Sequence, residues 1–315
     1  MKTKTPSVPA ATVLALAACG GASEAAVEPA GPPLVVCTFA PTEYLARRLV
    51  QGDARVVCDL PEDVDALFWE PPDEALLRMQ EADLIVLHGA GMDTWRDRVS
   101  LPASRVVVLA ERFRDRWIDR GDAAVHTHVG VDGGTEEHSH AGLDPHAWVD
   151  PLLWLEEARA LGEALHSVLG AERATELDRR LDALAEDLRG LHDALAALEL
   201  PDGESLYASH PAYDYLAARH GWSVVSFDLD PGRAPTAGEL ADVRAALGDR
   251  PGRICLWESE PVPAASAALA DLGLESVVYA PAEIVTEAER AAGTDVLSIQ
   301  RANVERLRAA LEGGR

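Results

Sequence analysis

Two histidines stand in settings suited to holding a metal ion. The first is in Asp144-Pro145-His146-Ala147-Trp148-Val149-Asp150-Pro151, one imidazole between two Asp-Pro steps. Proline fixes its own φ and pushes the residue before it toward extended backbone, so such a loop holds the ring in few orientations. A ligating histidine needs that restraint, together with a carboxylate or carbonyl on its other ring nitrogen. A histidine bonded only to its own loop is the competing reading. The second is in Tyr207-Ala208-Ser209-His210-Pro211-Ala212-Tyr213-Asp214-Tyr215, where a strand is expected to end and a helix to begin. In open α/β folds that carboxyl edge is where ligands bind. Alone, His210 reads as a turn residue; beside His146 it becomes a second donor.

A third feature lies between them. His126, His128, His138 and His140 fall within residues 125–142, separated by Gly, Asp and Glu, and make up four of the ten histidines of the chain. A polar, Gly-rich loop of this composition reads as metal-binding or as low-complexity sequence. His88, His166, His192 and His220 fall in strand or helix contexts and read as structural.

Eight short apolar, β-branched runs supply the positioning frame. They are 34–40, 55–61, 82–89 and 105–111, then 204–210, 223–229, 253–259 and 275–281. Amphipathic segments separate most of them, which reads as βαβ units with parallel sheets covered by helices. The pattern occurs twice. The predicted fold is therefore α/β, two βα lobes with parallel four-stranded sheets, joined by one long spine helix. Leucines at 177, 181, 184, 188, 191, 195 and 198 mark that helix, preceded by a shorter one from 152 to 169. A stripe of this length also suits a dimeric coiled coil; a spine packed beneath two lobes, in a monomer, is preferred. The expected organisation is 34–170 for the first lobe with the His-rich loop 125–142, 171–199 for the linking helix, and 200–315 for the second lobe.

The chain has 315 residues and a formal net charge of −25, with 28 Lys plus Arg against 53 Asp plus Glu. That balance excludes nucleic acid as a partner, since a phosphate backbone needs a basic footprint. Residues 1–19 read as an export signal, with Lys2 and Lys4 before an apolar run that ends in Leu16-Ala17-Ala18-Cys19-Gly20. The Leu-Ala-Ala-Cys-Gly string resembles the bacterial lipoprotein processing motif, which implies lipidation of Cys19 and a membrane held through the lipid; residues 20–33 then read as a flexible tether. Cys37 and Cys58 fall in the first two strands, where a disulfide and two buried thiols are equally open.

The ordered strings VVCTFAPTEYLARRL, EADLIVLHGAGMDTW, DPHAWVDP after a His-rich loop, SHPAYDYLAARHGW, LWESEP and SIQRANVERLRAAL resemble the zinc/manganese solute-binding proteins of ABC importers. The likeness runs from about residue 34 to residue 312. It implies metal held between two lobes by about four side chains and passed to a membrane permease, with His146 and His210 as two of the ligands. Two positions depart from that pattern. Leu67, in Val64-Asp65-Ala66-Leu67-Phe68-Trp69, stands where the family commonly has histidine. Tyr279-Ala280-Pro281-Ala282-Glu283 lacks the usual aspartate at Ala280 or Pro281. Glu258 in LWESEP and Glu283 are the candidate replacements, with the loop histidines as further donors. Zinc, which suits imidazole nitrogen, is expected ahead of manganese. A diverged scaffold with weak or lost metal binding, serving as a metal-handover or other binding module, is the alternative. No HExxH or Gly-x-Ser-x-Gly string is present, so no enzyme is expected. A cell-adhesion role leaves no mark in the residues.

Overall fold

Each apolar run folds as a strand, shorter than the run that announced it. The computed structural model describes residues 31–121, the strands 125–129 and 135–139, and residues 142–313. The signal, Cys19, residues 20–30 of the tether and His140 lie outside the described residues. The first lobe contains β1 (Leu34–Cys37), α1 (Ala40–Val50), β2 (Arg55–Cys58), α2 (Asp73–Glu81), β3 (Leu84–Leu87) and β4 (Val106–Val108). Residues β5 (Val125–Val129) and β6 (Thr135–Ser139) pair as antiparallel strands, with His126 and His138 in register. After α3 (Pro151–Leu169) and α4 (Ala174–Ala196), the second lobe runs β7 (Leu206–Ala208), α5 (Asp214–His220), β8 (Val224–Ser226), α6 (Ala237–Asp249), β9 (Ile254–Trp257), α7 (Pro263–Ala270), β10 (Glu275–Val278), α8 (Glu287–Ala291) and α9 (Val296–Gly313).

The two large sheets share one topology. Their orders are β2-β1-β3-β4 and β10-β9-β7-β8, and every pair within them is parallel. Counted within its own lobe, each is 2-1-3-4. The chain therefore reverses its winding between the first and third strand of each sheet, and a crevice opens there at the carboxyl ends. In the second lobe the strands flanking that crevice are β7 and β9, which lead into His210 and Glu258.

Helix α4 is the spine, but it is shorter than expected. Its 23 residues reach roughly 35 Å at about 1.5 Å per residue. Residues 171–173 form a turn rather than a first helical turn. The leucine stripe faces inward: Leu177, Leu184, Leu188, Leu191, Leu195 and Leu198 are buried and Leu181 packs against the same cluster. That cluster is continuous from β1 of the first sheet through α3 and α4 to β7 and β9 of the second. The helix thus spends its apolar face inside its own chain. Leu188 is wholly buried, so Leu188→Ala is expected to cost about 2–5 kcal/mol of stability, read as a lowered midpoint in denaturant unfolding.

The bridge considered between Cys37 and Cys58 is not formed. The two residues are in-register partners on β1 and β2, yet both are free thiols. Burial pushes the Cys37 thiol well above its ordinary value and that of Cys58 up to about 12, so neither presents a thiolate for exchange near neutral pH. Among the described residues no helix is long and apolar enough to cross a membrane.

Candidate metal centre

The loop before α3 owes its shape to its two aspartates. Asp150 accepts a hydrogen bond from the Leu152 backbone N–H at 2.9 Å, capping α3, and receives the Arg219 guanidinium at 2.8 Å. Asp144 is wholly buried and receives Arg120 on one oxygen at 2.7 Å. Its other oxygen accepts from the backbone N–H of His146 at 3.0 Å and lies 2.8 Å from His146 Nδ1. A carboxylate only accepts, so Nδ1 carries the hydrogen and Nε2 is turned the other way. Nε2 meets Glu283 Oε1 at 3.2 Å.

Glu283 arrives from the arm after β10. Ala282, immediately before it, has φ +65°, in the left-handed region that disfavours a residue with a Cβ. The arm is held from several sides. Trp148 Nε1 and Gln300 donate to the Pro281 carbonyl at 2.8 and 3.0 Å, and Asn303 donates to the Ala280 carbonyl at 2.7 Å. Across the lobes, the backbone N–H of Ala40 at the start of α1 donates to the carbonyl of Glu283 at 3.1 Å. Ala280 and Pro281, the positions lacking an aspartate, contribute backbone and a cleft wall instead.

His210 follows β7 and comes edge-on to His146, ring centroids 5.5 Å apart at 80°. Its Nδ1 lies 3.7 Å from Glu258 Oε2. The structure thus lines one cleft with four of the donors named from the sequence, His146, Glu283, His210 and Glu258, as two His–Glu pairs. Among the described residues no three such side chains share one ion-sized site in this conformation. Leu67 lines the same cleft as hydrocarbon, and its backbone N–H donates to Asp65 at 2.8 Å. Asp65 itself faces the cleft and was missed by the sequence reading; an acid two residues before the departing leucine was its only signal. The side chains of His126, His128 and His138 fall outside what the structure describes.

The cleft between the lobes holds about 1100 Å³ and adds Asp63, Glu260 and Glu289 to these carboxylates, with Arg306 the one Lys or Arg among its described lining residues. Such crowding of one sign shows in the titrations. Burial, then the charges of Glu283 and Asp65, push the Glu258 carboxyl up to about 8, with His146 opposing. Burial alone would lower His146, but the hydrogen bonds to Asp144 and Glu283 outweigh it and raise the imidazole to about 10. Asp144 shows the converse: burial would raise it, and His146 with Arg120 hold it below the usual carboxylate range. The cleft thus concentrates carboxylates around two histidines.

Comparison with known proteins places the whole chain in a family. The high-affinity zinc uptake system protein ZnuA of Bacillus subtilis is 26% identical over 322 residues, covering 96% of this chain and 95% of that protein. The zinc-binding protein AdcA of Streptococcus pyogenes serotype M3 is 25% identical over 288 residues, which cover 88% of this chain but 56% of AdcA, so the chain spans about half the length of that relative. Among solved structures, Zn(II)-bound AdcA from Streptococcus pneumoniae superposes with a TM-score of 0.74 at 22% identity, covering 90% of this chain and 58% of that one. The metal-dependent lipoprotein YcdH of Bacillus subtilis gives 0.73 at 20% identity, covering 88% and 98%. A family model described as the periplasmic zinc-uptake complex component A matches residues 35–310, and the chain belongs to that family.

Proposed function

We propose that this protein captures a zinc ion outside the cytoplasm and delivers it to the permease of an ABC importer, acting as a binding protein rather than an enzyme. One observation carries the reading: the imidazoles of His146 and His210 meet edge to face in an acidic cleft, each beside a glutamate. Two nitrogens and two carboxylate oxygens make a donor set that zinc takes tetrahedrally, with bonds of about 2.0–2.2 Å. An ion drawn between the pairs replaces the His–Glu contacts with shorter bonds to itself. Manganese, which prefers more oxygen ligands, is served less well. Glu258 and Glu283 fill the ligand places for which Leu67 and Ala280 supply no donor, and Asp65 adds charge from the first lobe. The four loop histidines would gather the ion upstream of the cleft, and lipid on Cys19 would hold the protein, as a monomer, at the membrane that bears the permease.

Metal analysis of the full chain purified without chelator tests this. About one zinc per chain is expected, retained against a micromolar competitor, and none in the His146→Ala/His210→Ala double variant. Micromolar or absent zinc affinity in the parent would instead establish a scaffold that has lost its cargo.

A further inference from the structure

We infer that His88, backed by Glu157, is a positioning residue for the metal site: its imidazole fixes the Pro145 carbonyl and so aims the adjacent His146 into the cleft. This rests on the reading that His146 binds the metal. His88 follows β3, at the carboxyl edge of the first sheet, and is wholly buried. Its Nε2 lies 2.6 Å from the carbonyl oxygen of Pro145. A carbonyl only accepts, so Nε2 carries a hydrogen. Its Nδ1 faces Glu157 Oε1 at 3.4 Å, with neither side chain exposed. Neither oxygen of Glu157 has a hydrogen-bond partner among the described residues. His88 Nδ1 likewise has no hydrogen-bond partner among the described residues, so the two buried side chains face each other.

Everything around the ring limits its movement. Phe39 and Trp148 meet it edge-on, with centroids at 5.4 and 5.2 Å. Its own carbonyl accepts from Ala110 N–H at 2.9 Å, and the next residue, Gly89, turns at φ +87° where a Cβ would stand 2.5 Å from Val108. Asp93, the other acid close to the ring, is engaged by the Gly89 N–H at 2.8 Å. The result is a donor fixed to the sheet and aimed at the residue before His146.

The pair is expensive as mere filling. Hydrophobic residues of similar volume commonly replace a buried polar pair without loss of stability, whereas such a pair supplies direction. Asp144 already sets the tautomer of His146 through Nδ1; His88 sets the path of the backbone that carries the ring. Outer partners of metal ligands act in this way, and losing one costs about 10–100-fold in affinity.

The test is His88→Phe, which keeps a flat ring and removes the donor, beside His88→Gln, whose amide N–H reaches toward the same carbonyl. Two readouts are taken: zinc affinity by competition with a chromophoric chelator, and the His146 Nδ1–H proton resonance of the metal-free protein. His88→Phe is expected to weaken zinc binding by roughly 10–100-fold and to broaden or lose that resonance, with His88→Gln restoring most of both. A lower melting temperature with affinity and resonance unchanged would assign His88 to packing and overturn the inference. Should His88→Phe fail to fold, Glu157→Gln decides: a severalfold weaker affinity with a broadened resonance supports positioning, and no change in either defeats it. A parent that binds no zinc would defeat the transport reading, while the resonance still judges His88.

Discussion

Replacing His146 with alanine is expected to weaken zinc binding by roughly a thousandfold or more, beyond the 10–100-fold typical of an outer partner. The donors stand as two His–Glu pairs, and His146 is the member held most tightly by its surroundings. It is fixed by Asp144 on Nδ1 at 2.8 Å and placed 3.2 Å from Glu283 on Nε2. Without it three donors remain, one of them Glu258, which is partly neutralised near pH 8. The fold should survive. Asp144 keeps Arg120 at 2.7 Å, so the cost is a lost buried hydrogen bond rather than an orphaned charge, about 1–3 kcal/mol. His166→Ala is the control, because that imidazole pairs with Asp178 at 2.9 Å between α3 and α4, away from the cleft. Affinities are read by chelator competition on the three proteins in parallel. A His146→Ala protein that binds zinc within about threefold of the parent would remove the chemical basis of the site.

What could be read from the chain divides along physical lines. Strands such as Leu34–Cys37 and Ile254–Trp257 were visible because parallel strands covered on both faces need unbroken apolar runs. The leucine stripe of α4 was visible for the same reason in helical register. His146 and His210 could be singled out because proline and a strand end restrict where each ring goes. The meeting of Glu283 with His146 was not legible. It depends on the left-handed φ of Ala282 and on tethers from Gln300 and Asn303, and no local pattern encodes either. Nor was the disulfide question settled by strand adjacency, since Cys37 and Cys58 are in register and still unbonded. From its strand context alone His88 reads as structural. Yet Glu157 lies between Trp154 and Leu161 on the buried stripe of α3, and an acid on an apolar stripe was a signal available in the sequence.

Zinc affinity is expected to rise steeply with pH through neutrality, and the reason lies in the protons held by the metal-free cleft. His146 is raised to about 10 and Glu258 to about 8. At pH 7 both carry a proton that a metal ligand must lose, so binding should release about two protons. The slope of log affinity against pH should be about two below pH 8 and about one from there toward pH 10. The metal-free protein behaves oppositely. A group whose folded pKa is raised binds more protons in the native state, so stability falls as pH rises between the unfolded and folded values. Glu258 acts this way from its ordinary 4.5 up to about 8 and His146 from 6.5 to about 10, so both contribute to the decline between pH 6.5 and 8. The gain in melting temperature on adding zinc should therefore widen as pH rises from 6.5 to 8. Thermal melts with and without zinc measure that gap, and calorimetry at pH 7 in buffers of different ionisation enthalpy counts the protons. A gap independent of pH, with no proton released, would mean that zinc binds elsewhere than between His146 and Glu258.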